Sequence, residues 1–108
     1  MSGRECKIRV PGIKTDLHFR CGTSDVSVME DTFLRGHYEF GLADEPSVIV
    51  DAGAHIGLVT VLFANRYPSC RIIAIEPDLD NFRLLRANTR EYRNVDSVNG
   101  VLWFEKAT

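Results

Sequence analysis

The stretch from Ser47 to Gly57, S-V-I-V-D-A-G-A-H-I-G, most constrains what this chain can fold into. Its apolar start, Ser47–Val50, is closed by Asp51, a pattern that predicts a strand buried on both faces. Gly53 and Gly57 then bracket a turn in which the backbone can approach a ligand closely, and a segment with helical periodicity follows at once. The stretch therefore predicts a strand, a tight turn and a helix N-terminus beside a small-molecule site.

Composition restricts the partners only weakly. The chain has 108 residues, 44% of them hydrophobic and 26% charged, and a formal net charge of -2. This balance favours neither nucleic acid nor an anionic membrane surface as a partner. No apolar run has the length of a membrane-spanning helix, and the first residues lack the apolar segment of a signal peptide. We therefore expect a protein of the cytoplasm that binds neither nucleic acid nor membrane.

The three cysteines, Cys6, Cys21 and Cys70, are odd in number and lack C-x-x-C spacing. Such an arrangement predicts neither a disulfide framework nor a zinc site with four ligands. We expect all three to be reduced and to serve in packing, and we expect no bound metal.

The first part of the chain, residues 1–46, predicts a hairpin, a helix and a loop. Weak alternation on both sides of Pro11 and Gly12 is typical of two short strands joined by a turn. Ser24 and Asp25 can supply an N-cap and a first-turn carboxylate to a helix that ends near Gly36. The sharper interpretation of Ser24 and Asp25 is that they close over a ligand from the hairpin side.

The second part, residues 47–108, predicts a βαβαβ unit. After the first strand and its helix, Arg71–Ile75 is a second buried strand, Leu79–Arg93 a second amphipathic helix and Val95–Asn99 a third strand. Right-handed crossovers make the three strands parallel in the order 3-2-1. We therefore expect an α/β, Rossmann-like fold with a partial three-stranded sheet, in which ligands bind at the carboxyl ends of the strands.

The acid in the turn distinguishes it from a dinucleotide site. Asp51 would repel a pyrophosphate placed on the helix N-terminus, whereas it would attract the ammonium and sulfonium groups of S-adenosylmethionine. N–H groups near Ala54 to Gly57 could take the carboxylate of that cofactor. Glu76 ends the second strand, where an acid accepts the two hydroxyls of a ribose.

Other residues at the same edge complete the predicted cofactor site. Pro77 could pack on the adenine, and Asn99 and Gly100 could meet the adenine edge. The alternative for each residue is structural: the glycines could serve only the turn and helix packing, Asp51 could be an N-cap, and Glu76 a solvated strand end. His55 is more typical of a turn residue than of a catalytic base. The sequence predicts no specific catalytic residue.

With these residues in place, the chain resembles the FkbM-type family of S-adenosylmethionine-dependent methyltransferases. The resemblance lies in G-T-S-D-V-S-V at Gly22–Val28, V-D-A-G-A-H-I-G at Val50–Gly57, and I-A-I-E-P-D-L-D-N-F-R-L-L at Ile73–Leu85. It implies O-methylation of hydroxyls or carboxyls on sugars and secondary metabolites, hence a small-molecule acceptor. It also implies that Glu76 binds the ribose and that the methionine side is bound by the turn residues Asp51, Gly53, Ala54, His55 and Gly57. The family more often has Asn at the position of His55.

The resemblance covers only the cofactor-binding, N-terminal part of a fold with seven strands. A fourth strand of that fold would pair with the first, so the apolar strand 47–51 is expected to have an exposed edge. We therefore expect a partial chain, or an edge completed by a second copy or a partner chain. Two other hypotheses stay open: a non-catalytic nucleoside-binding or assembly module, and, ranked last because of Asp51, an NAD-binding fold.

Overall fold

The fold is known from a computed structural model, which describes residues 4–34 and 45–103. The predicted helix end at Gly36 and most of the predicted loop between His37 and Pro46 lie outside the described residues. In the described ranges, no helix is long and apolar enough to cross a membrane.

The chain begins with the predicted hairpin. Strands β1 (Arg4–Ile8) and β2 (Leu17–Cys21) pair antiparallel, with Cys6 opposite Phe19. This register brings the Cα atoms of Cys6 and Cys21 to 6.1 Å, and the two residues form a disulfide. The expectation that all three cysteines are reduced is therefore wrong, because strand pairing joins two that are far apart in sequence. Cys70 is free and buried.

A short helix follows the hairpin. Helix α1 (Asp25–Met29) continues directly into a π-helical turn, Glu30–Leu34. The predicted apolar face packs on the core through Val26, Met29 and Phe33. Ser24 occupies the predicted N-cap position and Asp25 the predicted place in the first turn. The Ser24 side chain makes no capping hydrogen bond, however, and the hydroxyl of Thr23 accepts from the Asp25 N–H instead (3.2 Å).

The sheet confirms the predicted α/β, Rossmann-like topology. Strands β3 (Val48–Ala52), β4 (Arg71–Ile75) and β5 (Val95–Val98) are parallel in the order β3-β4-β5. The first strand is longer than predicted, because Asp51 stays in the ladder opposite Ala74 rather than leaving it. This places Asp51 within the sheet, just before the turn.

The two crossover helices differ from the prediction in detail. The spacing of Ile56, Val59 and Phe63 predicts an apolar stripe on a helix that stops before Pro68. Helix α2 (Leu58–Arg66) ends there, but it buries Leu58, Val61 and Ala64 more deeply than Val59 and Phe63. Helix α3 (Leu79–Thr89) ends four residues earlier than expected. There the Thr89 hydroxyl donates back to the Leu85 carbonyl, and the chain turns so that the Tyr92 N–H donates to the Thr89 carbonyl.

One face of the sheet is covered and the other is open. Ile49, Ile72 and Val95 are in register on the face packed against the core formed with the helices and the hairpin. The opposite face carries the alternate residues, and much of it is apolar and exposed: Val48 (56% exposed), Val50 (52%) and Val98 (44%). Strand β3 pairs only with β4 in the described part of the chain.

The core includes residues from both sides of the predicted boundary at residue 46. Leu17, Phe19 and Met29 of the first part pack in one cluster with Ile56 and Leu58 of the second. The hairpin is therefore packed directly beneath the turn that the sequence singled out.

Candidate functional site

The carboxyl ends of the three parallel strands bring the predicted site residues to one edge. The N–H groups of Gly53 and Ala54 both donate to the Ile75 carbonyl, at 2.8 and 2.9 Å. The Glu76 N–H donates to Val98 (2.9 Å), and the Gly100 N–H donates to Glu76 (3.2 Å). These bonds place the glycine turn, residues 53–57, next to the ends of β4 and β5.

The glycine turn has three residues in the left-handed region: Gly53 at φ 72°, His55 at φ 58° and Gly57 at φ 87°. The two glycines differ in their surroundings. A Cβ at Gly53 would meet no atom within 4 Å, whereas one at Gly57 would lie 2.6 Å from Leu85 Cδ1. Gly57 therefore permits close packing against α3, while Gly53 leaves open space at the edge.

Most N–H groups of the turn are already engaged. Besides those of Gly53 and Ala54, the His55 N–H donates to Glu76 (2.8 Å) and the Gly57 N–H to Ala54 (2.9 Å). The expectation that N–H groups across Ala54–Gly57 are available to a carboxylate is therefore largely wrong. Helix α2 begins at Leu58 with no side-chain cap, so its first-turn N–H groups are the donors nearest to the turn.

Glu76 joins the second strand to the glycine turn. Its Oε1 accepts from the His55 N–H at 2.8 Å, and its Oε2 accepts from the Asp78 N–H at 2.9 Å. The residue is only 6% exposed. Each carboxylate oxygen can accept a second hydrogen bond, so Glu76 can shape the turn and still accept from a hydroxyl.

Asp51 lies at the base of the turn, under helix α2. The Thr60 hydroxyl donates to its Oδ2 at 2.6 Å. Burial raises the pKa of Asp51 above its ordinary value, and the hydrogen bond from Thr60 opposes that shift. Within the described ranges no donor to the other oxygen, Oδ1, is found, which leaves it as an acceptor.

The residues predicted to lie near the adenine are joined by hydrogen bonds at the end of the sheet. The Asn99 side-chain amide donates to the carbonyls of Glu76 (2.9 Å) and Pro77 (3.1 Å). Pro77 and Asn99 are exposed and Gly100 is half-buried. The structure thus brings all three residues to the same edge as Glu76.

Ser24 and Asp25 lie in different environments in the structure. Ser24 is exposed, whereas Asp25 is only 1% exposed and accepts three hydrogen bonds from Arg20, through the backbone N–H, Nε and Nη2. Burial disfavours the charged form of Asp25, but the hydrogen bonds and charge of Arg20 outweigh it and hold the pKa of Asp25 below its ordinary value. Asp25 is thus saturated by protein contacts.

His55 connects the turn to this buried ion pair. Its Nε2 lies 3.8 Å from Asp25 Oδ1, and its Nδ1 is buried with no hydrogen-bond partner among the described residues. The left-handed backbone of His55 orients its N–H toward Glu76 and its ring toward Asp25. These contacts attach the turn to the N-terminal hairpin and helix.

Three polar residues that the sequence did not single out hold this region together. Arg20 Nη2 donates to Asn81 Oδ1 at 2.6 Å, which links the hairpin to the start of α3. Asn88 bonds the hairpin and the turn, and it is 1% exposed. The sequence could have indicated Asn88, because it lies three residues after Leu85 on the inward face of a helix, where an apolar residue is expected.

A separate cavity of about 600 Å³ lies at the opposite end of the sheet, where the strands begin. Lys14, Cys70, Arg71 and Arg93 are among its lining residues. It contains none of the predicted site residues. Across residues 4–34 and 45–103, no group of three or more His, Cys, Asp or Glu could hold a metal ion.

Comparison with known proteins gives partial matches to methyltransferases. No protein-family model matches the chain. It is 43% identical over 54 residues to an ornithine lipid N-methyltransferase of Singulisphaera acidiphila, covering 49% of this chain and 28% of that protein. It is 32% identical over 71 residues to Methyltransferase 1 of Beauveria bassiana, covering 66% of this chain and again 28% of the relative. The chain thus spans little more than a quarter of the length of either relative.

Two further similarities cover even less of the other protein. The chain is 38% identical over 55 residues to the AMB antimetabolite synthetase AmbE of Pseudomonas aeruginosa, of which it covers 3%. Among solved structures, it is similar to coclaurine N-methyltransferase bound to N-methylheliamine and SAH, with 16% identity and a TM-score of 0.46. That match covers 73% of this chain and 24% of the other.

Proposed function

We propose that this chain is the cofactor-binding part of an S-adenosylmethionine-dependent methyltransferase. The observation that carries the proposal is the acidic glycine turn: Asp51 lies at its base, Gly53 opens onto free space, and Glu76 is joined to it by hydrogen bonds. The two partial relatives named as methyltransferases support the reaction class.

The residues at this edge fit the groups of S-adenosylmethionine. Asp51 Oδ1 suits the ammonium or sulfonium, and the first turn of α2 suits the carboxylate. The remaining acceptor sites of Glu76 suit the ribose hydroxyls, with Pro77 and the Asn99–Gly100 backbone near the adenine. An NAD pyrophosphate at the same helix N-terminus would lie near Asp51, which disfavours the NAD hypothesis.

The cofactor would supply a methyl group on a cationic sulfur, which an acceptor lone pair attacks while the carbon–sulfur bond breaks. The protein would have to align the acceptor atom with that bond, and a base or solvent would have to take up the proton that the acceptor loses. We propose an oxygen acceptor on a small molecule, as the FkbM-type resemblance implies. A nitrogen acceptor is the competing outcome, since the name of the Singulisphaera acidiphila relative specifies N-methylation.

Calorimetric titration of the whole chain tests cofactor binding. We expect S-adenosylmethionine and S-adenosylhomocysteine to bind and NAD not to bind. Asp51→Asn, which can still accept from Thr60, should weaken binding about tenfold or more through the lost charge. Ser69→Ala, at the exposed opposite end of the sheet, is the control. Binding of NAD in preference, or equal affinity in Asp51→Asn, would contradict the proposal.

The alternative is a non-catalytic nucleoside-binding or assembly module. It is supported by the exposed apolar residues of one sheet face and by the edge of β3 that no strand of residues 4–34 and 45–103 pairs with. A second copy or a partner chain on strand 47–51 would complete that edge. Incubation with methyl-labelled cofactor and a panel of hydroxylated and amine acceptors separates the two hypotheses. Labelled product favours the enzyme. A dimer or larger species at micromolar concentration favours the module, and a well-folded monomer counts against it.

A further inference from the structure

We propose that Asn88 is a positioning residue that holds the glycine turn in the shape required for cofactor binding. The inference rests on the proposed function, but its structural basis is independent of any ligand. A single side chain bridges two segments that are distant in sequence: β2 of the hairpin and the turn that follows β3.

Each polar atom of the Asn88 side chain has a partner. Its Nδ2 donates to the Ile56 carbonyl at 2.8 Å and to the His18 carbonyl at 2.9 Å, while its Oδ1 accepts from the His18 N–H at 2.6 Å. Two donors and one acceptor are thus used together. Asp lacks the donors, and Leu has the shape without any polar atom, so neither can reproduce this bridge.

The Ile56 carbonyl explains why the turn needs a side-chain partner. Ile56 is fully buried and lies between His55 and Gly57, both of which have positive φ. Its carbonyl precedes helix α2, and the hydrogen bond from Asn88 satisfies it. A buried carbonyl without a donor would cost free energy, which the turn could recover only by changing shape.

The shape of the turn determines several features of the site at once. His55, the residue before Ile56, directs its N–H to Glu76 and its ring toward Asp25. Gly57, the N-cap residue of α2, lies close against Leu85. A shift at Ile56 would therefore displace the Glu76 carboxylate and the helix N-terminus together. We expect loss of the Asn88 bridge to reduce cofactor affinity beyond its effect on stability.

The test compares Asn88→Ala and Asn88→Gln with Leu84→Ala, a control that removes a buried apolar side chain from the same helix. Amide hydrogen exchange of residues 53–57 and calorimetric affinity for S-adenosylhomocysteine are measured well below the melting temperature of each variant. We expect Asn88→Ala to speed exchange in the turn and to weaken binding, each about tenfold, relative to Leu84→Ala. Asn88→Gln, which retains the side-chain amide, should keep part of the protection of the turn from exchange and part of the affinity for S-adenosylhomocysteine.

The outcomes separate the two proposals. Failure of the unaltered chain to bind would contradict the proposed function, while the exchange rates would still decide the role of Asn88. Turn exchange and affinity in both Asn88 variants equal to those of Leu84→Ala would overturn the positioning role. If Asn88→Ala does not fold, Asn88→Gln decides the question. Faster amide exchange of residues 53–57 with unchanged affinity for S-adenosylhomocysteine, or no change in either quantity, contradicts the proposal.

Discussion

The two glycines of the turn serve different purposes, although the sequence presents them as a pair. Both have positive φ, but only Gly57 lies against another helix, with its missing Cβ 2.6 Å from Leu85. Gly57 is therefore required by the fold, whereas Gly53 is free of protein contact on that side. The glycine proposed to face the cofactor and the glycine that supports the helix can thus be told apart.

We predict that Gly57→Ala lowers the free energy of unfolding by about 3 kcal/mol, from left-handed strain and overpacking against Leu85. Gly53→Ala should cost about 1 kcal/mol, from strain alone. Relative to its cost in stability, Gly53→Ala should lower cofactor affinity more than Gly57→Ala does, because the added methyl group enters the open space beside the turn. Chemical denaturation and calorimetry measure both quantities, and equal stability losses would contradict the assignment.

The buried carboxylate of Asp25 should make the stability of the protein depend on pH. Its pKa is held below the ordinary value, so the native state binds fewer protons than the unfolded state as the pH falls. Its contribution to stability is present above about pH 4 and is lost as the pH falls through the lower, native-state pKa. Asp51, with a raised pKa, acts in the opposite direction.

We predict that Asp25→Asn lowers the free energy of unfolding at pH 7 by about 3 kcal/mol, because the Arg20 charge then lies largely buried without its carboxylate. Below about pH 4 the difference between the two proteins should shrink. Urea unfolding at several pH values measures it. A difference that stays constant down to the acid limit would show that Asp25 contributes through packing rather than charge.

Among the secondary-structure elements, the sheet was predictable and the contacts around it were not. The apolar runs in β3 and β4 are each followed by a local break, so these two strands and their parallel order follow from the sequence alone. The early end of α3, the buried face of α2 and the bridge of Asn88 depend on which segments pack together. The same holds for the candidate site. The sequence predicted that Asp51 and Glu76 lie at the carboxyl ends of the strands, but it did not predict the ion pair between Arg20 and Asp25.

The hairpin disulfide shows the same limit, since only the strand register brings Cys6 and Cys21 together. We predict that replacing both with Ser lowers the free energy of unfolding by about 3 kcal/mol, as expected for a loop of this length. Reductant should destabilise the unaltered chain by a similar amount and leave the double variant unchanged. Alkylation of all three cysteines without reductant, detected by mass spectrometry, would contradict the disulfide.

At the scale of the whole molecule, the open sheet face is the main departure from ordinary packing. Parallel sheets are normally covered on both sides, yet on this face Val48 is 56% exposed and Val50 is 52% exposed. The covered face packs against the main cluster of buried apolar residues, which includes residues of the hairpin. The cytoplasmic location and the acceptor class stay predictions.

The alternative hypothesis, an assembly module, predicts that the chain self-associates through this face at micromolar concentrations. Val50→Lys should shift sedimentation toward the monomer, because a charge on the open face opposes its burial. Ser69→Lys adds the same charge at the other end of the sheet and should leave the association unchanged. A chain that sediments as a monomer at all concentrations would contradict this use of the face.

The central claim is that the acidic glycine turn binds S-adenosylmethionine at the carboxyl ends of the strands. The most direct test is titration of the isotope-labelled chain with S-adenosylhomocysteine, followed through its backbone amide resonances. We predict saturable shifts at residues 51–58, 76, 78 and 99–101, with none at Lys14, Arg71 or Arg93 around the opposite cavity. Shifts confined to that cavity, or no saturable shifts at cofactor concentrations up to the millimolar range, would contradict the claim.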